Sequence, residues 1–246
     1  MGDLHFGADS ATYLREPFQH LPEVADVLLI AGDLTLTGYV EEAAVIANAL
    51  AQVAIPVVAV LGNHDYHQDQ QEKITHLLRE ARVVVLDGDA ITLEVAGTRL
   101  GIAGVKGFGG GFAGACGTEF GEPEMKAFIR HTKELAQRLE EALRVEAEIR
   151  IALLHYSPVE ATLLGERLEI YPFLGSFLLG EAVDRAGADL VLHGHAHAGM
   201  ERGATPGGIR VRNVSYPVIG NAYNIYGIDR SADGHDVRIV EGAIER

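Results

Sequence analysis

Four apolar runs in this chain each stop at polar residues of the same few kinds, and that pattern limits the fold more than any other feature. Residues 55–61 read as a buried strand; Gly62 ends the run, and Asn63, His64 and Asp65 follow. Residues 25–31 run into Gly32 and Asp33, and residues 150–154 into His155. Residues 188–192 run into His193, Gly194, His195, Ala196 and His197. In parallel α/β sheets, ligands bind beyond the carboxyl ends of the strands. Asp, Asn and His recurring there predict one site assembled from several separate loops.

Helical periodicity alternates with these runs. Asp9 or Ser10 is expected to cap a short helix through about His20, which Pro22 follows. Residues 39–53 carry Val45, Ile46, Ala49, Leu50 and Val53 at helical spacing. Asp69 with Glu72 reads as a capping box for a helix to about residue 81. Residues 83–86, 91–95 and 98–105 are strand-like, with Ala96 and Gly97 as a hairpin turn. Pro123 suits the first turn of a long helix over residues 122–146, whose apolar stripe is Phe128, Leu135, Leu139 and Leu143. Residues 158–175 look irregular, and a helix should run from Ser176 to Gly187. Strands are expected again over residues 209–216, 223–228 and 236–241. With no repeat and no linker, the reading is one domain over residues 1–246. Its class is α/β: a four-layer α-β-β-α sandwich with two mixed sheets flanked by helices.

Two stretches fit this scheme less easily. Asp3 should end a strand, yet only Met1 and Gly2 precede it, whereas strands usually run to about 5–6 residues. The first strand is therefore expected to be missing or to lie upstream, leaving Asp3 and His5 loosely held. Residues 104–121 are glycine-rich but lack the Gly-Lys-Ser/Thr of a P-loop. They read as a flexible surface loop, with a substrate-facing loop as the alternative.

Charge and cysteine content narrow the function classes. The 246 residues carry 20 Lys and Arg against 35 Asp and Glu, a net charge of −15, with no basic cluster. Such a chain repels nucleic-acid phosphates, so a nucleic-acid partner is disfavoured. Cys116 is the only cysteine, which excludes an internal disulfide. No apolar run is long enough to span a membrane, and a reducing, cytoplasmic setting is the default expectation. Nothing in the sequence fixes the oligomeric state.

Taken in order, the residues are Asp3-x-His5, Gly32-Asp33, Gly62-Asn63-His64-Asp65, His155 and Gly194-His195-Ala196-His197. Their oxygen and imidazole donors, without a thiolate, suit Mn²⁺, Fe, Zn²⁺ or Mg²⁺. One carboxylate can bridge two such cations roughly 3.5–4 Å apart, a spacing that clamps a phosphoryl group and lowers the pKa of bound water. The set resembles the calcineurin-like metallophosphoesterase superfamily over residues 3 to 197. The resemblance implies two divalent metal ions. Asp3, His5 and His197 would hold one, Asn63, His155 and His195 the other, and Asp33 would bridge them. It also implies attack by a bridging hydroxide, with His64 as general acid or phosphoryl stabiliser and Asp65 orienting His64.

The protein-phosphatase branch carries Gly-Asp-x-x-Asp-Arg-Gly and Gly-Asn-His-Glu. This chain has Gly32-Asp33-Leu34-Thr35-Leu36-Thr37-Gly38 and Asp65 in those places, and lacks the Arg. It looks closer to the bacterial phosphodiesterase branch, so a small phosphoester substrate, a diester first, is expected. The alternatives are a phosphomonoesterase and a non-catalytic protein-binding scaffold. His64, which is not an expected ligand, speaks for catalysis. His193 reads as structural; His20, His67, His76, His131 and His235 match no motif. Tyr156, Arg167 and Tyr171 are candidates to line the pocket.

Overall fold

The computed structural model describes residues 1–10, 15–230 and 237–242. Short apolar strands build a three-stranded parallel sheet in the order β1 (Leu28–Ala31), β2 (Val57–Val60), β3 (Val83–Leu86). Every residue of β1 and β2 is buried, which explains their uninterrupted apolar sequence. β4 (Asp89–Val95) and β5 (Thr98–Val105) form an antiparallel hairpin turned by Ala96 (φ 49°) and Gly97 (φ 81°), both left-handed.

The hairpin opens a larger, mixed sheet. A two-residue hairpin, β6 (Gly111–Phe112) with β7 (Ala115–Cys116), precedes the remaining strands in the chain. β8 (Ile149–Leu154) and β9 (Leu190–His193) pair parallel beyond β5. β10 (Arg202–Ala204) and β11 (Arg210–Asn213) complete the order β10-β11-β9-β8-β5-β4. β12 (Ile225–Arg230) and β13 (Val237–Gly242) form a separate antiparallel pair.

The two larger sheets face one another across an apolar layer that includes Leu29, Val58, Val60, Leu86, Ile102, Ile151, Leu153 and Leu192. The outer face of the small sheet is covered by α1 (Arg15–Val24), α2 (Val40–Leu50) and α3 (Gln71–Glu80), through residues such as Phe18, Ile46 and Ile74. The outer face of the large sheet is covered by α4 (Pro123–Ala142) and, after the single turn α5 (Tyr171–Leu174), by α6 (Phe177–Ala186), through Leu135, Leu139, Leu179 and Val183. The result is the four-layer sandwich. A last single turn, α7 (Tyr216–Ile219), occupies the end of the expected 209–216 strand.

Several local expectations shift for identifiable reasons. α1 continues through Pro22 to Val24 because Phe18 and Leu21 are core residues and a proline in the last turn removes only one bond. The expected cap at Asp9 or Ser10 cannot be followed, because residues 11–14 lie outside the described set; His235 lies outside it too. Asp69 is left-handed (φ 54°) and closes a turn on Tyr66, so it cannot cap α3, which starts after Gln70. At α6, Ser176 accepts from Leu178 N and Gly187 terminates the helix, as the sequence predicts. Residues 105–112 are mostly buried rather than a surface loop; only the following stretch, including Phe120, is exposed.

The start of the chain is tied into the small sheet. Met1 N donates to Leu29 O, Ala31 N to Met1 O, Asp3 N to Gly32 O, His5 N to Asp33 O and Phe6 N to Leu34 O. Residues 1–6 thus run beside β1 and continue its parallel pattern past its end.

Asp65 does not orient His64, as the resemblance implied. Its buried carboxylate accepts from Leu34 N (3.2 Å), Thr35 N (2.8 Å), Thr35 Oγ1 (2.7 Å) and Gly62 N (2.8 Å). Burial pushes this carboxyl up, the more so beside Asp33, while the bonds from Gly62 and Thr35 oppose the shift. The residue therefore buckles the loop after β1 to the loop after β2. Asp65→Asn replaces an acceptor with a donor that faces other donors. It should cost about 3 kcal/mol and lower Tm by roughly 6–12 °C, measurable by thermal unfolding; unchanged stability would remove the buckle.

His193 at the end of β9 is buried and structural. Its Nδ1–H donates to Gly194 O (2.7 Å), and its Nε2 accepts from Thr162 Oγ1 (2.9 Å). Burial lowers it from 6.5 to about 4. Between those values the unfolded chain takes up a proton that the native imidazole refuses, so stability present above pH 6.5 is lost as pH falls toward 4. His193→Gln should flatten the acid limb of the metal-free protein's stability curve by up to about 3 kcal/mol, read from denaturant titrations at several pH values. An unaltered pH slope would count against the assignment.

Candidate dinuclear metal site

Each sequence-predicted site residue sits just past a strand end, or in the loop that replaces one. Asp3 and His5 leave the segment beside β1, Asp33 follows β1, and Asn63 and His64 follow β2. His155 follows β8, and His195 and His197 follow β9. Donor atoms of Asp3, His5, Asp33 and His197 lie within 4.8 Å of one another, and so do those of Asp33, His155 and His195. Asp33 belongs to both groups, so the site is two adjacent metal-binding clusters joined through one carboxylate. Asn63 stands at the second, its Oδ1 2.9 Å from His155 Nε2.

The approach is close because the backbone is bent to permit it. Asp3, His5, Asp33 and His195 all have left-handed φ, at 58°, 46°, 49° and 70°. Non-glycine residues seldom adopt that region, and such strain collects at functional sites. Two glycines make room: a Cβ at Gly62 would strike Asp33 Oδ1, and one at Gly194 would strike Asp3 Oδ2.

The donor set fits divalent cations on two observations. His155 Nδ1 is 2.8 Å from Ala31 O, which can only accept, so Nδ1 carries the proton. The lone pair at Nε2 then faces Asn63 Oδ1 (2.9 Å) and Asp33 Oδ1 (3.3 Å), three acceptors with no donor between them. A cation placed among them resolves the conflict, and the Ala31 bond is the outer contact that fixes a ligating imidazole. Secondly, both ring nitrogens of His5 are buried with no hydrogen-bond partner, an arrangement rare in native proteins unless a ligand supplies the partner.

Protonation states point the same way. Burial, aided by His64, lowers His5 to about 4, and burial, aided by His155, lowers His195 to about 3. Both imidazoles are therefore neutral near pH 7, with lone pairs free for a metal. Burial raises the Asp3 carboxyl, but the hydrogen bond from His197 (2.9 Å) and the nearby imidazoles outweigh it, and the net shift is downward. That bond is also the main reason His197 is raised. Both Asp3 oxygens share the single His195 N–H, each 3.0 Å from the nitrogen. Asp33 is raised, by burial first, before any cation compensates it.

His64 lies at the rim, its ring edge-on to His5 at 4.5 Å and its Nε2 4.0 Å from Asp33 Oδ2. Its Nδ1 donates to Leu36 O at 2.6 Å, so Leu36 rather than Asp65 sets the ring orientation. Of the three pocket candidates, Tyr156 is present, with its ring 4.3 Å from that of His195. Arg167 is exposed and paired with Glu169, and Tyr171 is buried with its hydroxyl on Leu163 O; neither reaches the site. Sequence reasoning missed Lys106, which is buried beside Tyr66, Phe108 and Tyr156. Its signal was available: a lone cation directly after β5, at a strand end like the others.

No curated protein sequence matches the chain significantly. Among solved structures, the phosphopantetheinyl hydrolase of Mycobacterium tuberculosis is similar, with a TM-score of 0.65, 16% identity and 88% of each chain covered. The TT1561 protein of Thermus thermophilus is similar with a TM-score of 0.53 and 16% identity, covering 98% of this chain and 96% of that one. At such identities these likenesses speak for the fold. The family model of the calcineurin-like phosphoesterases matches residues 1–199, which contain all eight site residues. With two metal-binding clusters that share Asp33 on this sandwich, the chain belongs to the calcineurin-like phosphoesterases and is a metal-dependent hydrolase.

Proposed function

We propose that this hydrolase cleaves a phosphodiester of a small molecule, and that the pair of donor clusters sharing Asp33 is the observation that carries the reading. In this reading Asp3, His5 and His197 would hold one cation, and Asn63, His155 and His195 the other, with Asp33 common to both. When bound, two divalent cations clamp a phosphoryl group and supply a water of lowered pKa; the oxygen and imidazole donors suit Mn²⁺, Fe, Zn²⁺ or Mg²⁺.

The chain's own residues do the rest. Ala31 and Gly194 position their imidazoles and carboxylates through the bonds and clearances described above. His64 stands on the open side, with one ring nitrogen fixed by Leu36 O and the other turned toward Asp33. From there Nε2 can give a proton to a departing ester oxygen, or stabilise the phosphoryl group. A small substrate is favoured because the net charge of −15 repels polyanions. A cytoplasmic location accords with the single exposed Cys116, since a free exposed thiol suits a reducing compartment.

Asp33→Asn removes the charge that lets one side chain serve two cations. Elemental analysis of the desalted variant should show both metals depleted, and activity should fall by orders of magnitude. Two tightly held ions in that variant would end the bridging assignment.

His64→Ala separates chemistry from metal binding. The variant should keep its metals and fold. It should lose ~10²–10⁴ in rate on an alkyl or nucleoside ester, the usual worth of general acid catalysis, and much less on a nitrophenyl ester, whose leaving group needs no proton. Loss of a metal would make His64 a ligand, and equal loss on both esters would make it a phosphoryl-binding group.

A further inference from the structure

A cavity of about 360 Å³ opens beside the second cluster, lined by Asn63 and by Tyr156, which packs on His195, and reaching Lys106. Lys106 is 91% buried, from a relative exposure of 9%, and no carboxylate or carbonyl receives its ammonium among the described residues. It lies instead over three rings: Tyr66 at 4.8 Å, Phe108 at 5.0 Å and Tyr156 at 5.2 Å. Ring faces stabilise a cation without using its N–H donors. Its N–H donors therefore have no protein acceptor among the described residues and face the cavity, where a ligand or water can receive them. The rest of the lining is consistent with an anion. Arg138 and His131 contribute from α4, and the one carboxylate on this cavity, Asp87, faces Arg138 at 3.5 Å. The Tyr66 and Tyr156 hydroxyls take no protein partner among the described residues, so they can add donors.

We infer that Lys106 and its aromatic cage form a subsite for a second oxyanion on the substrate, so that the ester cleaved at the metal cluster carries a phosphate or carboxylate elsewhere on its organic part. The inference rests on the phosphoesterase reading for the position of the scissile group; the cage itself does not. Lys106 is then a positioning and specificity residue. His64 lies on the His5 side and Lys106 on the Asn63 side, so substrate bridges the cluster between a proton donor and an anion anchor.

The test uses metal-loaded protein and p-nitrophenyl alkyl phosphodiesters whose alkyl arm, two to four carbons long, ends in methyl, carboxylate or phosphate. One arm length ending in an anion should give kcat/KM at least about tenfold above its methyl counterpart, expressed mainly in KM, as expected for one charge-assisted contact. The better of the two anions identifies the group. Lys106→Met keeps the cage filled and should abolish that preference, while metal content stays unchanged and turnover of the methyl-ended diester stays within about threefold. Lys106→Arg, which keeps the charge, should retain part of the preference. If the Met variant does not fold, the Arg variant and the wild-type preference carry the test.

In parallel, calorimetric titration of the metal-loaded protein compares propane-1,3-bisphosphonate with propylphosphonate. Tighter bisphosphonate binding that Lys106→Met abolishes supports the subsite even where no diester is turned over, a result that would sink the phosphodiesterase reading alone. Turnover without preference for any anionic arm, with Lys106→Met indifferent to the arm, overturns the subsite and leaves the activity standing. Equal loss of kcat on all three arms would show that Lys106 serves the scissile phosphoryl group, and would also overturn it.

Discussion

The carboxylate of Asp65 holds together the two loops on which the site is built. It belongs to neither donor cluster. Yet Leu34, Thr35 and Gly62 all direct donors at it, from loops that follow two different strands. Burial makes such a contact expensive to break, since each donor would be left without water or partner. Asp33 sits directly before Leu34, and Asn63 and His64 directly before Asp65. One buried carboxylate thereby fixes the spacing of the shared Asp33, the Asn63 amide and the rim histidine.

Above that tie the site is poised rather than relaxed. Four of its residues are left-handed, two glycines are needed to let carboxylates approach backbone, and the His155 lone pair points at two oxygens. A fold optimised for stability in the absence of metal would not place three acceptors in contact or leave both nitrogens of His5 unpartnered. Each of these features becomes favourable once divalent cations supply the missing positive charge. Metal affinity and folding stability are coupled here through the same few atoms.

The cluster is also asymmetric. On the side of His5 and His197 it is partly open, and there His64 stands at the rim. On the side of Asn63 it borders a cavity with aromatic walls and the Lys106 ammonium. An acidic protein with a net charge of −15 attracts phosphoesters poorly at long range. Local positive charge at the cluster and at Lys106 supplies attraction where the global field does not.

Much of this was legible in the sequence, for a local reason. Apolar runs, their glycine stops and the donor residues after them are short-range features. The strand ends at residues 31, 61, 154 and 192, each within one residue of the structure's, the metal donors, the α6 cap at Ser176 and the hairpin at Ala96 and Gly97 all follow from them. What the tertiary structure alone decided concerns which partner a polar group meets. The sequence could not show that Asp65 faces Thr35 rather than His64, or that Asp69 is left-handed and cannot cap. Nor could it show that Pro22 is carried inside a helix by the burial of Phe18 and Leu21, or that the glycine-rich segment turns inward. It showed Lys106 as one lysine among glycines; only the packing of β5 against the loops after β2 and β8 brings Tyr66 and Tyr156 around it. Periodicity is written along the chain, whereas hydrogen-bond partners and cavities are properties of segments that meet only when the sheets are stacked.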